Sequence, residues 1–255
     1  MILILSSASL SGCFSSEEIL EERYGVPGGL VLACLDSSQY KKLVVEVDYE
    51  ENQKPTQETL DLMIERLESA CEKESVSYEL YLTDFNHDGS WSDEEIRFKG
   101  RETRQKNAMD GDELRFHLMF PSGYHSNENV LGVAVDATTV MVFNDRIKES
   151  ENLIRRPSWQ DIETSVTIHE LGHLLGLVNL VYTSDVDHED PDHPGHSSNE
   201  ESVMYWAIES SDISNIIFGT LPNDFDIDDK NDLQKLKDRI LKADNQLWYP
   251  DNYHQ

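Results

Sequence analysis

The alternation of hydrophobic and polar residues along the chain predicts strands and helices in a mixed order. Short apolar runs typical of strands occupy residues 43–48, 76–82, 114–120, 130–135 and 139–143. Between the first two runs, apolar residues at helical spacing predict a helix over about residues 55–71. Strand, helix and further strands in this order predict an α/β fold, in which a mixed twisted sheet packs on helices.

Two further helices are predicted in the second half of the chain. Ser158 and Asp161 are spaced as the residues of a capping box, so a helix should begin near Trp159. Its apolar residues recur at helical spacing, and Gly176 stands where such a helix would end. Another helix is predicted over about residues 228–243.

The most informative segment lies in the first of these two helices and is His169-Glu170-Leu171-Gly172-His173. Residues four apart project from one face of a helix, so His169 and His173 can bind one metal ion together. Neutral imidazole suits zinc, and two such ligands leave room for a third ligand and a water. Glu170 can accept a proton from the water that the metal activates. The pattern predicts a hydrolytic zinc site, and the other interpretation is a core helix with two hydrogen-bonded histidines.

A third protein ligand should follow the helix. The residue three positions after Gly176 is Asn179, whose amide oxygen is a poor substitute for imidazole on zinc and is more typical of a turn. The loop that follows offers three histidines among many acidic residues, and these are His188, His193 and His196. The residues alone leave these histidines, Asn179, an acidic side chain or a water as alternatives.

These features resemble the metzincin clan of zinc peptidases and, within it, the archaemetzincins. In that family the third histidine is followed by a cysteine, four residues, a second cysteine, one residue and a methionine. Here His196 is followed by Ser197, four residues, Ser202, one residue and Met204, so the spacing matches while serine replaces both cysteines. The resemblance covers about residues 130–206 and requires an insertion of 17 residues, the difference between positions 196 and 179.

The resemblance implies a metzincin-like catalytic domain that hydrolyses peptide bonds with one catalytic zinc. It makes His196 the third zinc ligand, with His188 as the alternative, and Met204 the methionine of the turn beneath the metal. Tyr205 would stabilise an oxyanion, as tyrosines near this turn do in some metzincins, or would serve only in packing. A substrate peptide would add to a strand edge within residues 130–143. Because the cysteines are absent, no cysteine-bound second zinc is expected.

Residues 84–95 form a second candidate metal site, because their sequence fits the twelve-residue calcium loop. The residues expected to supply calcium-binding oxygens, directly or through water, are Asp84, Asn86, Asp88, Ser90, Ser92 and Glu95. Gly89 allows the sharp turn that such a loop needs. The predicted element before the loop is a strand rather than the usual helix, and Trp91 replaces the usual aliphatic residue. The prediction is a structural calcium site, and the alternative is a surface loop rich in Asx turns.

The first residues have the pattern of an export signal. An apolar stretch and small residues lead to Leu10-Ser11-Gly12-Cys13, which predicts a signal peptide over residues 1–12 and lipidation of Cys13. No lysine or arginine precedes the apolar stretch, which departs from the usual signal. We predict a tether over residues 13–40, a peptidase domain over residues 41–255, and lipid anchoring at the outer face of the cell membrane, with secretion as the alternative.

The net charge limits which binding partners are expected, and the cysteines indicate whether a disulfide can form. The net charge of −29 argues against binding to the phosphates of a nucleic acid, because the chain would repel them. The acidic residues are spread along the whole chain, which indicates a solvated surface. A peptide or protein substrate is the expected partner, and membrane contact is expected only through the lipid. In an exported protein Cys34 and Cys71 can form a disulfide, although two buried thiols are the alternative.

Two other functions fit the same residues. A catalytically inactive surface binding module with the same fold is favoured by Asn179, which stands where the motif has a histidine. Intact Glu170 argues against it, because an inactive site needs no general base. A zinc hydrolase that acts on a non-peptide amide is the other alternative.

Overall fold

Helices cover both faces of a sheet in this computed structural model, which describes residues 24–150, 157–211, 213 and 219–253. The strands in chain order are β1 Lys42–Tyr49, β2 Ser75–Leu82, β3 Ser90–Trp91, β4 Met109–Asp110, β5 Glu113–Phe120, β6 Tyr124–His125, β7 Gly132–Ala134 and β8 Thr139–Val142. The helices are α1 Val31–Leu35, α2 Gln57–Ala70, α3 Asp93–Thr103, α4 Asn144–Ser150, α5 Trp159–Leu174 and α6 Ile227–Lys237, and a 3₁₀ helix spans Trp206–Glu209.

The main sheet has six strands and is mostly parallel. Its order is β2-β1-β5-β8-β7, with the short β4 pairing antiparallel with β5. Strand β1 runs parallel to β2 and β5, β8 runs parallel to β5, and β7 is antiparallel to β8. Parallel neighbours need crossover connections, and α2 supplies the one between β1 and β2. The antiparallel strand β7 forms the edge of the sheet opposite β2.

Alternate residues of the central strands point to the two faces of the sheet, one toward an apolar core and the other toward buried polar side chains. On β1, Leu43, Val45 and Val47 belong to the large apolar core beneath α2 and α5. The intervening positions are also buried, and there Asp48 lies 2.5 Å from the Nε2 atom of His117 on β5. Both faces of the sheet are thus covered, which is typical of parallel strands.

The helix that carries His169 and His173 is anchored at both ends. At its start Ser158 and Asp161 make the reciprocal hydrogen bonds of a capping box. At its end Gly176 adopts a φ of +71°, and a Cβ atom on Gly28 would lie 2.5 Å from the Gly176 Cα atom. There is therefore no space at the end of the helix for a larger residue at position 28. The helix begins at the residue predicted from the sequence.

Residues 24–40 belong to the domain and do not form the predicted tether. Every residue of α1 is buried, and the Gly29 carbonyl accepts a hydrogen bond from the Leu247 N–H at 2.8 Å. Cys34 in α1 forms a disulfide with Cys71 at the end of α2. The tether prediction was wrong here because the burial of this segment depends on residues more than 200 positions away. Residues 1–23, with the predicted signal peptide and lipidated Cys13, lie outside the described residues.

The helices differ from the sequence-based expectation in two places. The last helix ends at Lys237 rather than near residue 243, because Arg239 turns to a φ of +60° and the chain leaves the helical path. Helix α3 was not predicted, although Ser92 and Glu95 form a capping box at its start. Within the described part of the chain, no helix has the length and apolar character needed to cross a membrane.

Candidate metal centre

His169 and His173 lie on one face of α5, and their Nε2 atoms are 3.1 Å apart. The Nδ1–H group of His169 donates to the Val203 carbonyl at 2.7 Å, which leaves Nε2 without a proton and free to bind a metal. Burial lowers the pKa of His169 to about 4 and that of His173 well below its usual range. Both imidazoles are therefore neutral at pH 7, as metal ligands must be.

His196 comes to the same point from the loop after α5. Its ring centroid lies 5.2 Å from that of His169 and 5.0 Å from that of His173. Its Nδ1–H donates to the Pro194 carbonyl at 3.2 Å, and its Nε2 is buried with no hydrogen-bond partner among the described residues. This arrangement again leaves the inward nitrogen available, so three imidazoles converge from two elements that are distant in sequence.

Glu209 joins this group, and the sequence analysis did not identify it. One carboxylate oxygen lies 3.3 Å from His196 Nε2 and the other lies 3.9 Å from His169 Nε2. Ligand atoms of the three histidines and Glu209 all lie within 4.8 Å of one another. The only sequence signal was an acidic residue five positions after Met204, on the short 3₁₀ helix that follows the turn.

Glu170 lies beside the three histidines with its side chain fully buried. Its carboxylate packs on β7, where a Cβ atom on Gly132 would lie 2.9 Å from Glu170 Oε1. The Ala134 backbone approaches this carboxylate, but no described group makes an aligned hydrogen bond to it. Burial, and then the nearby negative charge of Glu209, raise the pKa of Glu170 well above its usual range. A carboxylate with a raised pKa is a stronger base.

The remaining electrostatics of the centre depend on Glu209. Burial lowers the pKa of His196, but the neighbouring Glu209 carboxylate outweighs this effect, and the net result is a raised pKa. Burial raises the pKa of Glu209, but its contacts with His196 and His169 outweigh this effect, and the net result is a lowered pKa. The centre thus combines the two neutral imidazoles of His169 and His173 with the partly buried carboxylate of Glu209, a set of groups that suits a divalent cation.

Met204 lies directly against the active-site helix at the position of Gly172. A Cβ atom on Gly172 would be 2.1 Å from the Met204 sulfur, so the close approach requires glycine there. The Met204 carbonyl accepts from the Ser197 N–H at 2.8 Å, which joins this turn to the residue after His196. The ring of Tyr205 packs beside that of Trp206 with centroids 5.6 Å apart, and its oxyanion role stays a prediction.

The other candidates for the third ligand lie elsewhere. His193 stacks on the Trp206 ring with centroids 4.2 Å apart. Asn179 adopts a φ of +67° and accepts from the Ser184 N–H at 2.7 Å, so it is a turn residue. The alternative assignment of His188 is corrected: the loop turns its imidazole away from the three-histidine group and toward α6, where it faces Asp232.

Solved structures of archaemetzincins are similar to this chain, whereas no protein-family model and no curated protein sequence matches it. Archaemetzincin from Methanopyrus kandleri is 14% identical, with a TM-score of 0.50, over 76% of this chain and 95% of that one. The chain has an archaemetzincin-like fold. Archaemetzincin from Archaeoglobus fulgidus is 13% identical, with a TM-score of 0.41, over 75% of this chain and 99% of that one. The fold class and the resemblance predicted from the sequence are confirmed.

The loop over residues 84–95 of this archaemetzincin-like chain has the turns of the predicted calcium site. Asp84 accepts from the Asn86 N–H at 2.9 Å, Asp88 accepts from the Ser90 N–H at 3.1 Å, and Gly89 has a φ of +90°. Ser92 and Glu95 cap α3. Within the described ranges, the acidic side chains of the loop are not among the groups of three or more that converge within 4.8 Å. Calcium binding stays a prediction.

Proposed function

We propose that this chain is a zinc-dependent metalloendopeptidase. The observation that carries the proposal is the convergence of His169, His173 and His196, two of which have an inward Nε2 freed by a backbone hydrogen bond at Nδ1. Three imidazoles fit zinc and are the donor set of a catalytic site that keeps an open position. When bound, zinc would supply Lewis acidity that activates a water and polarises the scissile carbonyl.

Glu170 is the proposed general base. Its carboxylate is buried beside the histidines and lacks an aligned hydrogen bond from the described residues, so it is free to accept a proton from an attacking water. Its raised pKa would let it hold that proton until the leaving amine takes it. Glu209 contributes by repelling negative charge on Glu170, which is the second cause of the raised pKa.

The proposed substrate is an extended peptide or protein segment. Strand β7 ends the sheet and carries Gly132, which directly contacts the Glu170 side chain. A peptide that pairs with the outer edge of a strand presents its backbone at a fixed distance, so addition at β7 would bring a scissile bond toward Glu170. The half-buried side chains of Val133 and Ala134 leave this edge partly accessible.

The first test compares two histidines of the same loop in the full chain. We expect His196→Ala to weaken zinc binding by more than about 100-fold and to abolish cleavage of a mixed peptide library, because even the outer partners of zinc ligands contribute 10–100-fold. His193→Ala is the matched control and should retain zinc and cleavage, since this imidazole stacks on Trp206. Zinc per chain and cleavage are measured together. A His196→Ala protein with full zinc would refute the ligand set, and zinc without cleavage in the parent would favour a binding module.

We also propose export and lipid anchoring at the outer face of the membrane. The Cys34–Cys71 disulfide supports an oxidising compartment, where such bonds form and persist. Cys13 follows the apolar stretch and small residues that precede lipidated cysteines. Expressed in a bacterial host with a labelled fatty acid, the full chain should incorporate label, and Cys13→Ser should not. Equal labelling of both proteins, or of neither, would contradict the anchor.

Calcium binding by residues 84–95 is proposed as a structural contribution. The support is the spacing of oxygen-bearing residues and the Asx turns at Asp84 and Asp88. Calcium at 100 times its dissociation constant should raise the melting temperature by about 5 to 10 °C. Asp88→Ala should remove this shift, whereas Glu94→Gln, an exposed acid of the same segment, should keep it. A melting temperature that is independent of calcium would exclude the site.

A further inference from the structure

A short segment after the methionine turn pairs with the edge of the main sheet. Residues 209–211, here called the strap, run antiparallel to residues 129–131, and Ser210 lies opposite Val130. Residues 129–131 come directly before β7, which forms this edge of the sheet. The strap therefore covers the continuation of the edge at which addition of a substrate peptide is proposed.

Backbone hydrogen bonds hold the strap in this position. The Leu131 N–H donates to the Glu209 carbonyl at 3.0 Å, and the Ser211 N–H donates to the Asn129 carbonyl at 2.9 Å. A peptide that adds to a strand edge makes backbone bonds of the same kind. The strap thus takes the hydrogen-bonding groups that an extended substrate would otherwise use.

The strap also brings the Glu209 carboxylate to the three-histidine centre. Its Oε1 is 3.3 Å from His196 Nε2, and its Oε2 is 3.9 Å from His169 Nε2. The Nε2 atoms of His169 and His173 are 3.1 Å apart. Ligand atoms at about 2.0–2.1 Å from a tetrahedral zinc ion lie about 3.3 Å from one another. The spacing of the carboxylate and the imidazoles is therefore that of ligands around one ion.

The contact between Glu209 and His196 has the length of a hydrogen bond but lacks the alignment of one. His196 Nε2 is buried without a hydrogen-bond partner among the described residues, although the carboxylate lies beside it. One ligand atom from each of the four side chains lies within 4.8 Å of the others. Three imidazoles and one carboxylate fill the four positions of a tetrahedral zinc site, so no position stays open for a substrate.

We propose that the strap is an autoinhibitory contact, in which Glu209 is the fourth metal ligand of the resting protein until an extended substrate displaces it. This closed state rests on the proposed zinc centre. During turnover Glu209 is off the metal and acts only through its charge on Glu170. A substrate that cannot pair with residues 129–131 has no means of opening the centre, so short peptides should be poor substrates.

The strap can move while the turn beneath the metal stays in place. The 3₁₀ helix that leads into the strap is anchored by Ala207 and Ile208, whose side chains are fully buried. The residues of the strap are only half-buried, and Asn129 on the opposite side is exposed. Segments with few buried contacts open at the lowest cost in free energy. The strap therefore has a fixed base and an end that a competing peptide can replace.

The first test measures metal coordination rather than turnover. The full chain is stripped of metal, loaded with Zn²⁺ and titrated with acetohydroxamate, a small probe that binds zinc at an open position. We expect Glu209→Gln to bind the probe at least about 10-fold more tightly than the parent, because no carboxylate competes for that position. Its zinc affinity should fall at least about 10-fold, since even the outer partners of zinc ligands contribute that much. Glu200→Gln, an exposed acid of the loop before the methionine turn, should match the parent in both measurements.

A second pair of variants tests the strap while Glu209 is unchanged. Ser211→Pro removes the N–H that donates to Asn129, and Ser210 has a φ of −87° and a ψ of 137°, which suits a residue before proline. Ser211→Ala keeps that N–H and is the matched control. The proline variant should bind acetohydroxamate more tightly than the alanine variant. Equal affinities in the two variants would overturn the strap.

The closed state and the catalytic centre fail separately in these experiments. A parent with one zinc that is lost in His173→Ala, together with unchanged zinc and probe affinities in Glu209→Gln, keeps the centre and overturns the Glu209 ligand. A parent that binds no zinc overturns both proposals. Weaker zinc binding with tighter probe binding in Glu209→Gln supports the closed state. Circular dichroism checks the fold of each variant.

Discussion

Glu170→Gln should lower the rate of peptide hydrolysis by about 10²–10⁴-fold, the usual contribution of a positioned general base. Glutamine has nearly the same shape and can occupy the pocket against Gly132, but its amide cannot accept the proton of an attacking water. The three histidines are untouched, so the variant should bind one zinc at this centre with unchanged stoichiometry. Loss of activity with retention of metal separates the base from a ligand.

The measurement is kcat/KM on a fluorogenic peptide, together with zinc per chain. Glu209→Gln is the informative comparison, because Glu209 is the other carboxylate facing the same histidines. It should lose less activity than Glu170→Gln, because it is proposed to act only through the charge around Glu170. If the large loss occurred in Glu209→Gln while Glu170→Gln stayed active, the assignment of the base would be wrong.

Removal of the Cys34–Cys71 disulfide should lower the free energy of unfolding by about 2–4 kcal/mol. The two residues are 37 positions apart, so the bridge closes a long loop and restricts the unfolded chain. The bridge also fixes α1, which follows Gly28, and Gly28 packs on Gly176 at the exit of the active-site helix. Without the disulfide, we therefore expect the protein to release zinc from the metal centre at a lower temperature.

Urea denaturation of the Cys34→Ala, Cys71→Ala double variant measures this loss. Cys13→Ser is the control, because it removes the third cysteine and leaves the disulfide intact. Reduction of the parent with a thiol should reproduce the effect of the double variant, since both remove the same covalent bond. An unchanged denaturation midpoint in the double variant would show that the bridge adds nothing to stability.

Elements whose residues interact locally could be predicted from the amino-acid sequence alone. The active-site helix was predictable because its capping box, its apolar spacing and the glycine after its end act within a few turns. His169 and His173 could be assigned to one site because residues four apart share a helix face, and Glu170 was assigned to it because it adjoins His169. Strands β1, β2, β5, β7 and β8 were likewise found close to their observed bounds, because short apolar or alternating runs are the signal of strands, whereas the two-residue strand β4 was not predicted.

Contacts between residues that are distant in the sequence could be identified only in the folded chain. His196 was one of three histidines in an acidic loop, and its position beside α5 depends on backbone contacts that no local pattern specifies. Glu209 was not identified, because an isolated acidic residue has no sequence signature of a ligand. His188, the alternative third ligand, faces Asp232 on α6 instead, and no local pattern indicated this contact. Residues 24–40 were interpreted as a tether, although the C-terminal segment buries them. Hydrophobic periodicity predicts which residues lie together on one face of a helix or strand. Contacts between different helices and strands form only when the whole chain has folded.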